Sequence, residues 1–310
     1  MALSRRRFIT ISAAAAAAPL AGQAARAGTA PLYRWQGSAL GARASITLIH
    51  PQAERITAAA RAEIERLEEI FSLYRAGSAL SRLNAEGRLD APPFELLDCL
   101  TLCAVAHRAS GGLFDPTVQP LWDLYARSHS AGHAPDQAAI DAALSHCGWA
   151  ELRYDTQTIR LRPGMALTLN GIAQGYIADR VAALLRAEGL DDILIDTGEL
   201  HALGGDPRGG DWPVVLDVPA RPVIGLRDRA LASSSPLGTV FDAGGRAGHI
   251  LDPRTGLPAR PVWRLVSVSA DSAAMADGMS TGMCLMTVAE IEAAAAAVKG
   301  VTVAHLEPSA

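Results

Sequence analysis

The chain has 310 residues and a formal net charge of −4, from 28 basic and 32 acidic side chains. Residues 1–27 hold four arginines (Arg5, Arg6, Arg7, Arg26) and no acid, so the 283 residues beyond them (310 less 27) carry −8 (−4 less four). That acidity argues against nucleic acid or an anionic membrane as the main partner, and that length buries a large core, as one big domain or two intimate halves.

The leader comes first in chain order. Ser4-Arg5-Arg6-Arg7-Phe8-Ile9-Thr10 precedes an alanine-rich run from Ile11 to Ala21, and Ala25-Arg26-Ala27 gives a small-x-small cleavage pattern. Paired arginines followed by Phe and Ile mark twin-arginine export, which carries folded proteins to the periplasm; an ordinary secretory signal is the competing reading. The run is too short and weakly apolar to span a bilayer. No cysteine lies near the cleavage site, so no lipid anchor is expected. Residues 1–27 read as a signal peptide and 28–310 as the mature domain.

Strands are expected at Leu32–Trp35 and Ala44–Leu48, with a turn at 37–41 between them. Helices follow at Ala53–Tyr74, where Ile56, Ala60, Ile64, Leu67 and Phe71 keep helical spacing, then at Pro93–Ser110 and Asp136–Ala142. Leu152–Tyr154 and Thr158–Leu161 read as a hairpin and Ile172–Ala187 as a helix. Strands are expected at Ile193–Asp196, Ala202–Leu203, Trp212–Asp217, Ala230–Ser233 and Leu265–Ser269. Helices at Ala273–Met286 and Glu290–Val298 and a strand at Val301–His305 close the chain. Without regular βαβ alternation, this order predicts an α+β fold with largely antiparallel sheets flanked by helices. Cys99, Cys103, Cys147 and Cys284 include no Cys-x-x-Cys pair and read as buried free thiols.

Five segments carry chemistry. Phe71-Ser72-Leu73-Tyr74-Arg75, continuing to Ser78-Ala79-Leu80-Ser81-Arg82-Leu83-Asn84, closes a helix with polar side chains. Gly111 to Val118 reads Gly-Gly-Leu-Phe-Asp-Pro-Thr-Val. Leu167 to Tyr176 runs from a strand through Gly171 into a helix, where backbone groups meet a ligand. Gly248 to Gly256 puts His249, Asp252, Arg254 and Thr255 within seven residues, suited to holding an anion or moving a proton; a loop braced by Asp252 is the competing reading. In Ala274 to Thr281, Asp277 and Thr281 stand four apart, so both oxygens share one helix face, which suits a hard divalent cation. A helix-terminal charge is the alternative for Asp277.

Together these segments resemble the ApbE family of FAD:protein FMN transferases, with motifs in family order from about Trp35 to Met286. The resemblance implies an ApbE-like (T-fold-like) α+β architecture. It also implies an enzyme that binds FAD and Mg²⁺, transfers the FMN half to a Ser or Thr hydroxyl of a target protein and releases AMP. On the family pattern Asp277 and Thr281 supply side-chain oxygens to Mg²⁺, with backbone carbonyls near Gly171 and Ala274. Leu40, Tyr74, Leu113, Phe114 and Asp115 match positions around the flavin and adenine, with Asp115 accepting from a ring amino group and Tyr74 stacking. Core packing competes for Tyr74 and Phe114. Thr168, Gln174, His249 and Ile250 match further FAD-facing positions. His249 and Asp277 are the catalytic candidates, His249 for phosphate contact or proton transfer. Asp252 and Arg254 are expected to brace their loop.

The chain departs from the pattern at Thr168, where the family often has Asp, at Gln174, where it usually has Lys or Glu, and at Glu199 after Gly198, where many members have Gly or Asp. The first two each remove a charge from an FAD-facing position. The leader and the Leu-Asn-Gly-Ile-Ala-Gln-Gly-Tyr variant also resemble the NosX-like subgroup that serves nitrous-oxide respiration. Its implied partner is a periplasmic or membrane-bound FMN-binding protein. Two other functions fit the same residues: Mg²⁺-dependent hydrolysis of FAD to FMN and AMP, and non-enzymatic flavin carriage, which has no need of Asp277 and Thr281. A dinucleotide fold is rejected because no Gly-x-Gly-x-x-Gly follows an early strand.

Overall fold

The computed structural model describes residues 31–309, and the signal-peptide reading of residues 1–27 falls outside them. In chain order the elements are β1 (Tyr33–Ala39), β2 (Ala42–Leu48), α1 (Ala53–Phe71), α2 (Ala79–Glu86), β3 (Arg88–Asp90), α3 (Phe94–Ala109), α4 (Gln119–Ser130), α5 (Gln137–Leu144), β4 (Arg153–Tyr154) and β5 (Thr158–Arg160). Then come α6 (Ala173–Ala187), β6 (Ile193–Asp196), β7 (Leu200–Leu203), β8 (Trp212–Val215), β9 (Val223–Leu226), β10 (Ala230–Ser234), β11 (Trp263–Ala270), α7 (Ala273–Met283), α8 (Val288–Ala296) and β12 (Thr302–Pro308).

The main sheet has seven strands in the order β1-β2-β6-β7-β10-β11-β12. Every neighbouring pair is antiparallel, as the α+β reading requires. Alternation along the strands sorts side chains onto two faces. Ile193 and Ile195, Ala230 and Ala232, and Val266 and Val268 join the core beneath the helices. Leu194, Leu231 and Leu265 point the other way, into a smaller core closed by Trp212, Val214 and Leu226 of the β8–β9 hairpin.

α1 lies on the sheet by its apolar stripe, Ile56, Ala60, Ile64, Leu67 and Phe71, at the expected spacing. α7 is different: all its residues except Thr281 are buried, and they are small residues, methionines and one aspartate. Its glycines allow the fit. A Cβ on Gly278 would stand 3.2 Å from the Ala106 Cβ, and one on Gly282 3.1 Å from that of Ser110. A helix hydrophobic all round belongs in a core, which makes Asp277 at its centre the anomaly.

Several boundaries differ from the sequence reading, for local reasons. α1 stops at Phe71, not Tyr74, because the Ser72 hydroxyl takes the Tyr74 and Arg75 amides (3.1 and 3.2 Å) and the Ser72 carbonyl takes the Ser81 hydroxyl (2.9 Å). α7 stops at Met283, beyond which the amides of Cys284, Leu285 and Met286 bond three residues back rather than four. β1 runs through Gly37, so the turn narrows to Leu40-Gly41, both at positive φ. Four elements escaped the reading, among them the three-residue strand β3, too short to show an alternation. α2 is hidden in a polar segment, α4 behind Pro116 and Pro120 (a proline in the first turn is compatible with a helix start), and β9 in an edge ribbon. The four cysteines are free, and Cys147 alone of them is only half-buried. Among the described residues no helix is long and apolar enough to cross a membrane.

Candidate active site

The first turns of α6 and α7 meet at Gly175, where any side chain would collide with the Ala273 carbonyl. This contact of backbone on backbone brings Asp277 to the N-terminal end of α6. Asp277 is 4% exposed, and its Oδ2 has no hydrogen-bond partner. Burial pushes its carboxyl up to about 8; the Gly175 amide opposes the rise and the Asp179 carboxylate adds to it. One turn on, Thr281 faces Gly171, where a Cβ would lie 3.0 Å from Thr281 Oγ1. The sequence pair Asp277 and Thr281 therefore joins Gly171, more than a hundred residues earlier in the chain, on one wall. Ala274 opens the same helix face, its amide bonded to Asp179 (3.0 Å).

Phe114 supports this wall. Its ring lies 3.5 Å from a Cβ position on Gly171 and 3.7 Å from one on Gly278. It is buried in the main core with Leu113, so the packing alternative holds for its side chain. Asp115 caps the short turn at 116–118: Oδ1 accepts from the Thr117 amide (2.8 Å) and hydroxyl (2.7 Å), and Oδ2 from the Trp149 amide (3.3 Å). Thr168 pairs its amide with the Pro116 carbonyl (2.8 Å), tying the second and third motifs together.

Ser234, at the end of β10, leads from this wall to the His249 loop. Its hydroxyl lies 2.7 Å from that of Ser280 and 3.4 Å from Thr281 Oγ1. Two residues later the Pro236 carbonyl presses on Gly248 so closely that any side chain there would collide with it. His249 Nδ1 lies 3.1 Å from the Thr239 carbonyl. A carbonyl only accepts, so Nδ1 carries the proton and Nε2 keeps its lone pair. Burial lowers the imidazole below its ordinary value, against the pull of Thr239, so it is neutral at neutral pH. Ile250 is buried in the main core. Asp252 does brace the loop: it accepts from the Arg254 amide (2.8 Å) and guanidinium (3.0 and 2.7 Å), and its carbonyl takes the Thr255 and Gly256 amides.

Leu40 and Tyr74 form a second group at the far end of α1. Glu68 accepts from the Leu40 amide (2.6 Å) and pairs with Arg75, beside Tyr74. Leu40 holds a φ of 48°, uncommon for a branched side chain. Tyr74 is 71% exposed, which removes core packing as its role. Gln174 packs its side-chain amide against Gly198, and its backbone carbonyl accepts from Thr197 Oγ1 (2.8 Å).

Glu199, a departure from the family pattern, joins the wall: it takes the Ser233 amide (3.3 Å), and burial followed by the nearby Asp277 charge pushes its carboxyl well up. Other residues that complete the wall carry no mark in the sequence. Ser234 and Ser280 were missed because serines give no periodic signal. Asn84 bonds both backbone groups of Leu167 (2.8 Å each), pinning the segment that leads to Gly171; this segment is irregular, not the strand the sequence suggests, because its backbone bonds go to the Asn84 side chain and to Pro116 instead of to a neighbouring strand. Among the described residues no three His, Cys, Asp or Glu side chains are grouped as a metal site. The available donors are the Asp277 carboxylate with Glu199 near it, hydroxyls and backbone oxygens.

The chain is similar to proteins of one family. The FAD:protein FMN transferase of Treponema pallidum is 30% identical over 247 residues, covering 70% of this chain and 67% of its own length. That of Klebsiella pneumoniae is 27% identical over 252 residues, covering 76% and 72%. The apo flavinyl transferase ApbE of Pseudomonas stutzeri superposes with a TM-score of 0.76 at 26% identity, covering 87% of this chain and 89% of that one. The ApbE protein of Thermotoga maritima gives 0.76 at 25%, covering 86% and 90%. The ApbE family model matches residues 40–304, nearly all of the described chain, and the protein belongs to the ApbE family.

Proposed function

We propose that this protein transfers the FMN half of FAD to a Ser or Thr hydroxyl of an acceptor protein and releases AMP, with Mg²⁺ held at Asp277. One observation carries the reading: a carboxylate oxygen buried in the core without a partner, on the same helix face as Thr281, which itself lies against Gly171. A buried, unpaired carboxylate is costly unless a cation compensates it. The donors present (Asp277, the Thr281 hydroxyl and carbonyls near Gly171 and Ala274) are all oxygens, the set a hard cation takes. When bound, Mg²⁺ supplies charge to the pyrophosphate oxygens and favours departure of AMP.

The chain's own residues do the rest. The acceptor oxygen attacks the phosphorus next to riboflavin, and the bond from that phosphorus to the oxygen of AMP breaks. His249 Nε2, kept neutral by burial and left without the ring proton by the Nδ1–Thr239 bond, takes the hydroxyl proton. Tyr74, exposed beside the Leu40 turn, offers a stacking face to a flavin or adenine ring. Leu113, Phe114, Asp115, Thr168, Gln174 and Ile250 shape the rest of the FAD site, with Thr168 and Gln174 as uncharged contacts. Water in place of the acceptor hydroxyl would give free FMN and AMP.

The Arg-Arg-x-Phe-Ile leader supports export by the twin-arginine pathway, so the acceptor we propose is a periplasmic or membrane-bound FMN-binding protein. Incubating the protein with FAD, Mg²⁺ and a purified periplasmic FMN-binding domain tests the reading. A mass gain of one FMN on an acceptor Ser or Thr, with one AMP released per label, is expected. AMP and free FMN without labelling would replace transfer by hydrolysis, and bound but intact FAD would leave a carrier.

A further inference from the structure

We propose that Asp179 is the positioning residue of this site, fixing where Asp277 and Thr281 stand relative to the Gly171 turn; the proposal rests on the cation reading above. Asp179 lies on α6, one turn beyond Gly175 and on the same face. Its carboxylate receives four hydrogen bonds: from the Ser272 hydroxyl (2.6 Å), the Ala273 amide (2.7 Å), the Ala274 amide (3.0 Å) and His201 Nδ1 (2.7 Å).

Three of these go to the start of α7, about ninety residues away in sequence. α7 already has a local cap, since Ser272 Oγ accepts from the Met275 amide (3.2 Å) and the Ser272 carbonyl takes the Ala276 amide (3.0 Å). The local cap leaves the Ala273 and Ala274 amides, and Asp179 takes both. An N-terminal cap supplied by another helix fixes that helix as well as stabilising its own target.

The consequence is a closed frame. Gly171 touches Thr281, and α6 begins two residues after Gly171. Gly175 touches Ala273, Asp179 bonds the first turn of α7, and α7 returns through Asp277 to Thr281. Asp179 is the side chain that closes this circuit. His201, on β7 and buried, backs its carboxylate and ties the frame to the sheet. A group that orients a ligand from behind changes cation affinity by about 10- to 100-fold when removed.

The test is Mn²⁺ binding to the whole protein with FAD present and no acceptor, read by electron paramagnetic resonance, alongside thermal melting. Asp179→Asn keeps the volume but turns an amide NH₂ toward donors. It is expected to stay folded and to weaken Mn²⁺ binding about tenfold or more. Thr287→Ala, which breaks the remote capping box of α8, is expected to lower the melting temperature and leave Mn²⁺ affinity unchanged. His201→Ala keeps all three bonds to α7 and serves if Asp179→Asn does not fold; a threefold or greater weakening is expected. Wild-type Mn²⁺ affinity in a folded Asp179→Asn or His201→Ala, with binding lost in Asp277→Ala, would overturn the positioning role and leave the cation site standing. Failure of the wild-type protein to bind Mn²⁺ would overturn both.

Discussion

Replacing Asp277 by Asn should stabilise the cation-free protein while destroying its chemistry. The folded protein holds this carboxyl at about 8, against 3.8 when unfolded. An acid whose value rises on folding keeps its full stability below the unfolded value and loses it progressively as pH climbs through the folded one. The loss therefore falls between about pH 4 and pH 8. At roughly 1.4 kcal/mol per unit it reaches about 5 kcal/mol by pH 8. Asn has nearly the same shape and no charge, so it escapes the penalty. Melting of the two proteins without divalent cations, from pH 4 to pH 8, is the assay. The two should melt together near pH 4, and the variant should lead by about 10 °C at pH 8. Adding Mg²⁺ to the FAD-bound proteins should raise the wild-type melting temperature further and leave that of the variant unmoved. A wild-type curve parallel to the variant across the whole range would refute the argument, because the Asp277 carboxyl would then cost nothing to ionise.

The remaining predictions concern other parts of the site. His249→Ala should slow AMP release by about 10²- to 10⁴-fold with a smaller change in FAD affinity. Because burial lowers the imidazole, the acid limb of the wild-type rate profile should fall below pH 6.5; a limb above 7 would contradict a neutral base. Tyr74→Ala should weaken FAD binding about tenfold, measured by fluorescence quenching, without lowering the melting temperature, since the ring is exposed. Gly175→Ala should destabilise the fold by about 1–3 kcal/mol in urea titration, as its methyl would collide with the Ala273 carbonyl.

The sequence alone determined a good deal. The stripe of α1, the antiparallel α+β class and the pairing of Asp277 with Thr281 follow from spacing, because a helix repeats every 3.6 residues and a strand every two. The bracing of the His249 loop by Asp252 was also legible, because Asx turns are made within a few residues. Tertiary structure decided what spacing cannot carry. Gly171 and Gly175 are glycines because Thr281 and Ala273 arrive there from a hundred residues away. Tyr74 and Phe114, alike in the sequence, part company only when one is left in solvent and the other is wedged under α7. Ser234 and Asp179 belong to the site through contacts between elements, and no local pattern marks them. Local rules fix which face a residue takes on its own element. Which elements meet, and so which carboxylate is stranded in the core, depends on how the whole chain packs.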